Sequence, residues 1–178
     1  MNIGIDFDNT LVNTREITKK YLDIYYPNNN LKTYHDLPEN EEIAFLSKTY
    51  ESILNDLSIL PNARETLDFL RKNGCKLILI TARGDRYIES SKAIQLLKAF
   101  FNKKNIVFDD EVYCATHKVE ACIEKNIDIM IDDLDYLLSE IVNENIKVLK
   151  FGNYSEKYPY ALDWLEVQKY FRKEFKCE

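Results

Sequence analysis

Two aspartates, Asp6 and Asp8, directly follow the apolar run at residues 1–5. Such a run is typical of a buried strand, and residues i and i+2 of a strand point to the same side. Two carboxylates placed in this way repel each other unless a cation lies between them or they divide the roles of acid and base. The alternative is that Asp8, Asn9 and Thr10 form only a turn or a helix N-cap, which all three residue types favour.

Two later apolar runs also end in residues that can take part in chemistry. Residues 76–80 are followed by Thr81, and residues 127–131 are followed by Asp132 and Asp133. Continuous apolar runs that alternate with helical stripes predict a doubly wound α/β fold with a parallel sheet. Ligands of such sheets bind outside the carboxyl ends of the strands. We therefore expect the residues that follow the three runs to meet at one edge of the sheet.

A long helical segment follows the first acidic pair. Apolar residues recur at helical spacing in two stripes, over residues 17–25 and 43–57, with a polar connection between them. The stripes predict a helical hairpin over residues 14–58 that forms a small cap, inserted into a core made of residues 1–13 and 59–178. Because such a hairpin cannot bury both of its faces alone, we expect it to lie over another part of the chain.

Size and composition limit the classes of function. The chain has 178 residues, a net charge of -6 and a pI near 5.1, which argue against a surface that coats nucleic acid. No apolar stretch approaches the length of a membrane span, and the first residues do not have the pattern of a signal segment. The four cysteines have no CxxC pairing and are expected to be reduced thiols. We therefore expect a cytoplasmic protein whose partner is a small molecule rather than a nucleic-acid polymer or a membrane. The sequence leaves the oligomeric state open, a homodimer included.

The acidic and cationic residues at these strand ends together resemble the motif set of the haloacid dehalogenase (HAD) superfamily of aspartyl-phosphate phosphotransferases. The matching residues are Asp6-Phe7-Asp8-Asn9-Thr10, Thr81, Lys118, Asp132 and Asp133. The DxDxT stretch is the specific part of the match, whereas a single Thr or Lys would be a weak signal. The helical insert lies where many members of that superfamily carry a cap that selects the substrate. The resemblance therefore covers the whole chain and implies a Rossmann-like core.

Within this superfamily, the chain looks most like the 5'(3')-deoxyribonucleotidase group of cytosolic nucleotidases. The narrower match depends on the small size, the short cap, the stretch Ile80-Thr81-Ala82-Arg83 and the closing helix after Asp163. It implies a Mg²⁺-dependent phosphomonoesterase that dephosphorylates (deoxy)nucleoside monophosphates. The alternative within this class is a phosphatase for sugar phosphates or other small phosphorylated metabolites. A different class is represented by a catalytically silent phosphate-binding protein or a receiver-like signalling module.

The resemblance implies a role for each aspartate. Asp6 would be the nucleophile that forms an aspartyl phosphate, and Asp8 would be the general acid and then the general base. Mg²⁺ would be bound by a carboxylate oxygen of Asp6, the backbone carbonyl of Asp8 and the carboxylate of Asp133. Asp132 would then not bind the metal directly but would act through a water molecule or through one of the direct ligands. The sequence does not decide between Asp132 and Asp133.

The transferred phosphate would need cations and hydrogen-bond donors around it. The residues that match the family pattern for this role are Asn9, Thr81, Ala82 through its backbone N–H, and Lys118. Thr81 has the alternative of being only a helix N-cap or a strand-end residue. Lys118 competes with other lysines of this half of the chain, which are Lys103, Lys104 and Lys125.

Substrate recognition is the part that the sequence determines least. Arg83 lies close enough to Thr81 to reach a phosphate or another anionic group of the substrate, but a surface ion pair with Asp85 is an equal alternative. Among the aromatic residues of the cap, Tyr21 and Phe45 are the two that we expect to stack on a nucleobase. The alternative for both is an ordinary place on the inner face of the helical pair.

Overall fold

A parallel sheet forms the centre of the molecule. The computed structural model describes residues 1–27, 30–84, 87–113, 115 and 117–175. Within these ranges the strands are β1 (Asn2–Ile5), β2 (Lys76–Ile80), β3 (Asp110–Val112), β4 (Ile129–Asp132), β5 (Lys147–Phe151) and β6 (Tyr160–Ala161). Their order across the sheet is β3-β2-β1-β4-β5-β6, and each neighbouring pair is parallel. The strand that ends at Asp6 is therefore central.

Helices cover both faces of this sheet. In the described ranges they are α1 (Thr14–Tyr25), α2 (Glu39–Asp56), α3 (Ala63–Lys72), α4 (Ser90–Lys104), α5 (Lys118–Glu124), α6 (Asp135–Asn143) and α7 (Trp164–Glu174), with a 3-10 turn at Tyr34–Asp36. Alternate strand residues face two separate apolar clusters, as Leu77 and Leu79 do on one side and Ile78 and Ile80 on the other. This arrangement confirms the predicted doubly wound α/β fold.

The central strands approach each other closely at Gly4. A Cβ atom built on Gly4 would lie 2.6 Å from the sulfur of Met130 on β4. A larger residue at this position would therefore require the Met130 side chain to move.

The edge strands differ from the sequence prediction. The sequence pattern predicts a short strand at residues 106–108 or 112–114, whereas β3 lies at Asp110–Val112 and begins with two acidic residues. The apolar residues Ile106 and Phe108 instead leave the sheet and are buried in the core. A strand with only one neighbour in the sheet does not need an apolar run, so the local pattern gave no signal for β3 or for the two-residue β6.

The helical insert at residues 14–58, here called the cap segment, joins the core through two adjacent crossings. Val12 and Ile59 form an antiparallel bridge, and the Leu60 N–H donates to the Leu11 carbonyl at 2.9 Å. The side chain of Asn13 accepts from the Ser58 N–H at 2.8 Å. The expected helical hairpin is present as α1 and α2, whereas its status as a separate domain remains a prediction.

The cap segment is also attached to the loop that follows β2. The Tyr87 hydroxyl donates to Glu42 of α2 at 2.8 Å, and the Ser47 hydroxyl donates to the Tyr87 carbonyl. Glu42 in turn lies 3.3 Å from the ring of His35. The loop that carries Thr81 and Arg83 is therefore bonded to the cap at its far end.

Cys75 and Cys122 are buried. Cys114 and Cys177 lie outside the described residues. Among the helices of the described ranges, every one is too short or too polar to cross a membrane.

Candidate active site

The carboxyl edge of the sheet brings the expected residues together. The Asp6 N–H donates to the Ile131 carbonyl at 3.0 Å, which extends the pairing of β1 with β4 by one step. On the other side the Thr81 N–H donates to the Val112 carbonyl at 3.0 Å. A cavity of about 510 Å³ opens at this edge between the core and the cap segment. Asp6, Asp8, Lys118 and Asp133 are among the residues that line it.

A tight turn after Asp8 leads the chain out of the sheet. The Phe7 carbonyl accepts from the N–H groups of Leu11 and Val12, and Asn9 has a left-handed backbone with φ of 59°. Asn is one of the few non-glycine residues that adopt this conformation at low cost. The Asn9 side chain accepts from the Arg15 N–H at 2.7 Å at the start of α1. The side-chain oxygen of Asn9 is thus engaged with the backbone, although Asn9 also lines the cavity.

Helix α7 is hydrogen-bonded to this turn through its first residue, Trp164. Trp164 is fully buried, and its indole N–H donates to the Thr10 carbonyl at 2.8 Å. Thr66 of α3 donates to the Trp164 carbonyl at 2.9 Å. These two bonds connect the acidic turn to two core helices and restrict its movement.

Lys118 bridges two carboxylates in the interior. Its ammonium donates to Asp6 Oδ1 at 2.6 Å and to Asp132 Oδ2 at 2.7 Å, and its side chain is 6% exposed. Burial alone would lower the pKa of Lys118, but the two carboxylates outweigh it and raise the pKa, so Lys118 stays charged. Among the competing lysines, Lys125 pairs with Asp110 at 2.9 Å instead. The structure therefore places Lys118, as expected from the sequence, beside Asp6.

Three carboxylates lie close enough to share a cation. Oxygen atoms of Asp6, Asp132 and Asp133 lie within 4.8 Å of one another, and all three residues are buried. Both oxygens of Asp132 are already used, one by Lys118 and the other by the Leu134 N–H at 2.9 Å. Asp133 has a longer contact, 3.4 Å, to the guanidinium of Arg15. Asp6 and Asp133 are therefore better placed than Asp132 to offer an oxygen atom to a cation.

The donor set fits Mg²⁺. The carboxylates of Asp6, Asp132 and Asp133 carry three negative charges when ionised, and Lys118 supplies one positive charge among them. Burial raises the pKa of Asp6 well above its ordinary value, although Lys118 opposes this, and it raises the pKa of Asp133 to about 6 with a further contribution from Asp132. A hard divalent cation that prefers oxygen ligands would relieve this repulsion.

Asp8 is held by Arg83. The guanidinium donates to Asp8 Oδ2 at 2.8 Å through Nε and to Oδ1 at 2.7 Å through Nη2, and the Thr14 hydroxyl also donates to Oδ1. Burial would raise the pKa of Asp8, but the attraction of Arg83 and the hydrogen bonds from Arg83 and Thr14 lower it. The surface ion pair considered from the sequence involved Asp85, which lies outside the described residues. The structure gives Arg83 a partner in the site itself.

Thr81 and Ala82 occupy the end of β2. Thr81 is fully buried, and its hydroxyl accepts from the Arg83 N–H at 3.2 Å. In the described part of the chain the next helix begins at Ser90, so Thr81 does not cap a helix and lies instead at the end of a strand. Ala82 lines the cavity beside Arg83.

The aromatic residues around the cavity are not the ones expected from the sequence. Tyr21 lies elsewhere, with its hydroxyl 3.2 Å from Asp56. Phe45 is 3% exposed and packs against the rings of Tyr25 and Tyr26 in the interior of the cap segment. Neither residue is among those that line the cavity, so this geometry gives no support to their expected stacking on a nucleobase. The tyrosines that line the cavity are Tyr34, Tyr50, Tyr87 and Tyr136.

Three polar residues of this region were missed in the sequence. Thr14 binds Asp8, and Arg15 reaches Asp133. Lys150 is 4% exposed, and its ammonium donates to the backbone carbonyl of Asp133 and lies 3.4 Å from Asp135. A lysine within the apolar strand of residues 147–151 was the available signal for Lys150, because a buried lysine requires a partner.

The raised pKa of Asp133 gives a testable dependence on pH. Between the ordinary value of 3.8 and about 6, the folded protein binds a proton that the unfolded chain does not, so the metal-free protein loses stability as pH rises through this window. Asp133→Asn should therefore raise the free energy of unfolding by about 1–3 kcal/mol above pH 6 and have no effect near pH 4. It should also abolish the rise in melting temperature that Mg²⁺ produces in the wild type at neutral pH. Thermal unfolding across this pH range, with exposed Asp68→Asn as control, checks both effects; equal gains at pH 4 and pH 8 would contradict the assignment.

The fold and the arrangement of these residues define a class of protein: the chain has the fold of the HAD-superfamily hydrolases. A hydrolase of the haloacid dehalogenase-like family from Streptococcus pneumoniae superposes with a TM-score of 0.69 over 96% of this chain and 97% of its own, at 17% identity. A β-phosphoglucomutase from Clostridium difficile superposes with a TM-score of 0.67 over 98% of this chain and 96% of its own, at 15% identity.

One curated relative adds a particular protein to this class. A protein from Bacillus cereus described as "Putative nucleotidase" is 25% identical over 196 aligned positions, which include 98% of this chain and 100% of the relative. No family model matches the chain. The resemblance to the superfamily is thus supported along the full length, and the resemblance to nucleotidases is supported by this one distant relative.

Proposed function

We propose that this protein is a Mg²⁺-dependent phosphomonoesterase that acts through an aspartyl phosphate on Asp6. The observation that carries the proposal is the position of the Asp6 carboxylate, buried at the sheet edge 2.6 Å from Lys118 and within reach of Asp133. A buried carboxylate that faces a cavity, a fixed cation and a second acidic group has the parts that phosphoryl transfer needs.

In the first step, a carboxylate oxygen of Asp6 bonds to phosphorus while the bond from phosphorus to the leaving alcohol breaks. For this, Asp8 must separate from Arg83, which lowers its pKa, take up a proton, and then donate that proton to the oxygen of that alcohol. In the second step, water attacks the phosphorus of the aspartyl phosphate and Asp8 takes up the proton of that water. The bond between phosphorus and the Asp6 oxygen breaks, which releases inorganic phosphate and restores the Asp6 carboxylate. Lys118 keeps the Asp6 carboxylate in place through both steps.

The remaining charge must be balanced around the phosphoryl oxygens. The backbone N–H of Ala82 and the Thr81 hydroxyl are the donors of the loop after β2, and Lys118 is the adjacent cation. Asp6 and Asp133, with the Asp8 carbonyl, would hold Mg²⁺. When bound there, Mg²⁺ supplies positive charge that stabilises the phosphoryl group as its negative charge redistributes.

We further propose that the substrate is a (deoxy)nucleoside monophosphate. Tyr34, Tyr50, Tyr87 and Tyr136 give the cavity aromatic surfaces on which a base can stack. The relative from Bacillus cereus bears the description of a nucleotidase. The alternative is a sugar phosphate or another small phosphorylated metabolite, and the β-phosphoglucomutase from Clostridium difficile has the same fold.

Phosphate release from a panel of nucleoside 5'- and 3'-monophosphates and sugar phosphates, with and without Mg²⁺, tests the proposal. We expect release that requires Mg²⁺ and has its highest kcat/KM on a nucleotide. Tyr34→Ala should then raise KM for nucleotides more than for sugar phosphates, with exposed Tyr154→Ala as the matched control. Preference for sugar phosphates would overturn the nucleotide assignment alone. An inert wild type would overturn the phosphatase and favour a phosphate-binding or receiver-like protein.

A further inference from the structure

The guanidinium of Arg83 covers the carboxylate that the proposed reaction needs. Both oxygens of Asp8 accept hydrogen bonds from Arg83, at 2.7 Å and 2.8 Å, and Oδ1 accepts a further bond from Thr14. The oxygen of a leaving alcohol must come within hydrogen-bond distance of the same carboxylate to receive its proton. Arg83 and the leaving group thus compete for one partner.

Arg83 lies where the core meets the cap segment. Its guanidinium is 5.0 Å from the ring centre of Phe7 and 5.5 Å from that of Tyr50, and its side chain is 12% exposed. Burial would lower the pKa of Arg83, but the Asp8 carboxylate outweighs it and raises the pKa, so Arg83 carries its charge in this enclosed place. A buried charge of this kind is costly unless an anion stays beside it.

Arg83 belongs to the same loop after β2 as Thr81 and Ala82, which are proposed to bind the phosphoryl group. Its backbone N–H donates to the Thr81 hydroxyl at 3.2 Å, and it follows Ala82 directly. A guanidinium that is displaced from Asp8 therefore remains tethered beside the donors proposed for the phosphoryl group. The anion nearest to it would be that group.

We propose that Arg83 exchanges partners: it pairs with Asp8 in the substrate-free protein and moves to a phosphoryl oxygen when a phosphate group binds. The exchange keeps the buried guanidinium paired at both stages and uncovers Asp8 for the leaving oxygen. Arg83 is then a positioning residue for Asp8 and a ligand of the phosphoryl group. This inference rests on the proposed function, because it takes the phosphate site at Asp6 and Thr81 as given.

A double-mutant cycle on the binding of inorganic phosphate tests the exchange without any turnover. Isothermal titration calorimetry in excess Mg²⁺ would compare the wild type with D8N, R83Q and D8N/R83Q. We expect R83Q to weaken phosphate binding about tenfold, since one charge-assisted bond is lost. We expect D8N to strengthen binding about tenfold, because Arg83 no longer has to leave a carboxylate. In the R83Q background, D8N should not strengthen the binding of inorganic phosphate in this way.

A fixed ion pair between Asp8 and Arg83 makes a different prediction. If Asp8 only repels the phosphate, D8N strengthens binding equally with and without Arg83, and the additive cycle overturns the exchange. A wild type that does not bind inorganic phosphate in Mg²⁺ overturns it as well. Exposed Arg172→Gln is the control for a loss of positive charge. R83Q alone leaves Asp8 without its counter-ion, so if it does not fold, D8N and D8N/R83Q still give the comparison: equal affinities would overturn the proposal.

The two proposals fail in separate ways. An inert wild type on the substrate panel refutes the phosphatase, whereas the binding cycle reports on Arg83 whether or not any ester is hydrolysed. An active wild type with an additive cycle would keep the proposed function and refute the partner exchange.

Discussion

Asp6→Asn is expected to lower kcat by a factor on the order of 10⁴ or more, because an amide cannot form the aspartyl phosphate. The substitution is nearly isosteric, and Lys118 keeps its second partner, Asp132, at 2.7 Å. The fold should therefore be retained, and the loss should appear in kcat rather than in KM. Steady-state hydrolysis of the best substrate of the panel measures the effect, and exposed Asp23→Asn serves as the control.

A second readout shows whether water attacks phosphorus or the carboxyl carbon of Asp6. During a single turnover in water labelled with ¹⁸O, an aspartyl phosphate is opened by attack of water on phosphorus, so the label appears in the released phosphate and Asp6 stays unlabelled. In Asp6→Asn neither protein nor phosphate should gain label on this timescale. Retention of a tenth or more of the wild-type kcat would show that Asp6 is not the nucleophile.

The acidic edge of the sheet could be predicted because its signal is local. An apolar run followed by Asp6 or Asp132 combines strand periodicity with a polar end, and the parallel topology then places such ends together. The same reasoning placed Thr81 after β2. What it could not supply was the pairing of charges, since Arg83 and Asp8 are 75 positions apart along the chain.

The choice between Asp132 and Asp133 needed atomic distances. Ile5 pairs with Ile131, so Asp6 and Asp132 are the next pair of residues and lie on the same side, and the alternation of side chains alone would favour Asp132. Asp133 lines the cavity, whereas Asp132 is fully buried with Lys118 and the Leu134 N–H on its two oxygens. The sequence favoured Asp133 as the direct ligand of Mg²⁺, and this geometry supports that proposal.

The substrate-facing aromatic residues could not be chosen from the cap sequence. Tyr21 and Phe45 lie on regular amphipathic helices, and their positions suit the packed inner face of the helical pair as well as a surface that contacts a ligand. The rotation of each helix about its own axis decides between the two, and the sequence does not determine that rotation. Tyr34 instead belongs to the 3-10 turn between the helices, and Tyr87 and Tyr136 come from the core. The tyrosines that line the cavity therefore come from the 3-10 turn, from α2 and from two separate segments of the core, so no single helical stripe identifies them.

Lys118→Met is expected to lower stability and activity together. The substitution leaves the carboxylates of Asp6 and Asp132 buried, without the ammonium that lies 2.6 Å and 2.7 Å from them. Breaking a buried pair by removal of one partner costs about 3–5 kcal/mol. Since Mg²⁺ would bind one of the uncompensated carboxylates, it should restore part of this loss. Urea unfolding with and without Mg²⁺ measures the change, and exposed Lys103→Met is the control.

The double variant Lys118→Met with Asp132→Asn separates the effect of Lys118 on stability from its effect on activity. Removing the charge of Asp132 leaves Asp6 as the carboxylate without a partner, so the double variant should regain a large part of the lost free energy of unfolding. It should not regain activity, because the cation beside the Asp6 carboxylate and the phosphoryl group is still missing. Recovery of kcat along with stability would instead mean that Lys118 acts only by balancing the charge of Asp132, and that phosphoryl transfer at Asp6 does not need its ammonium.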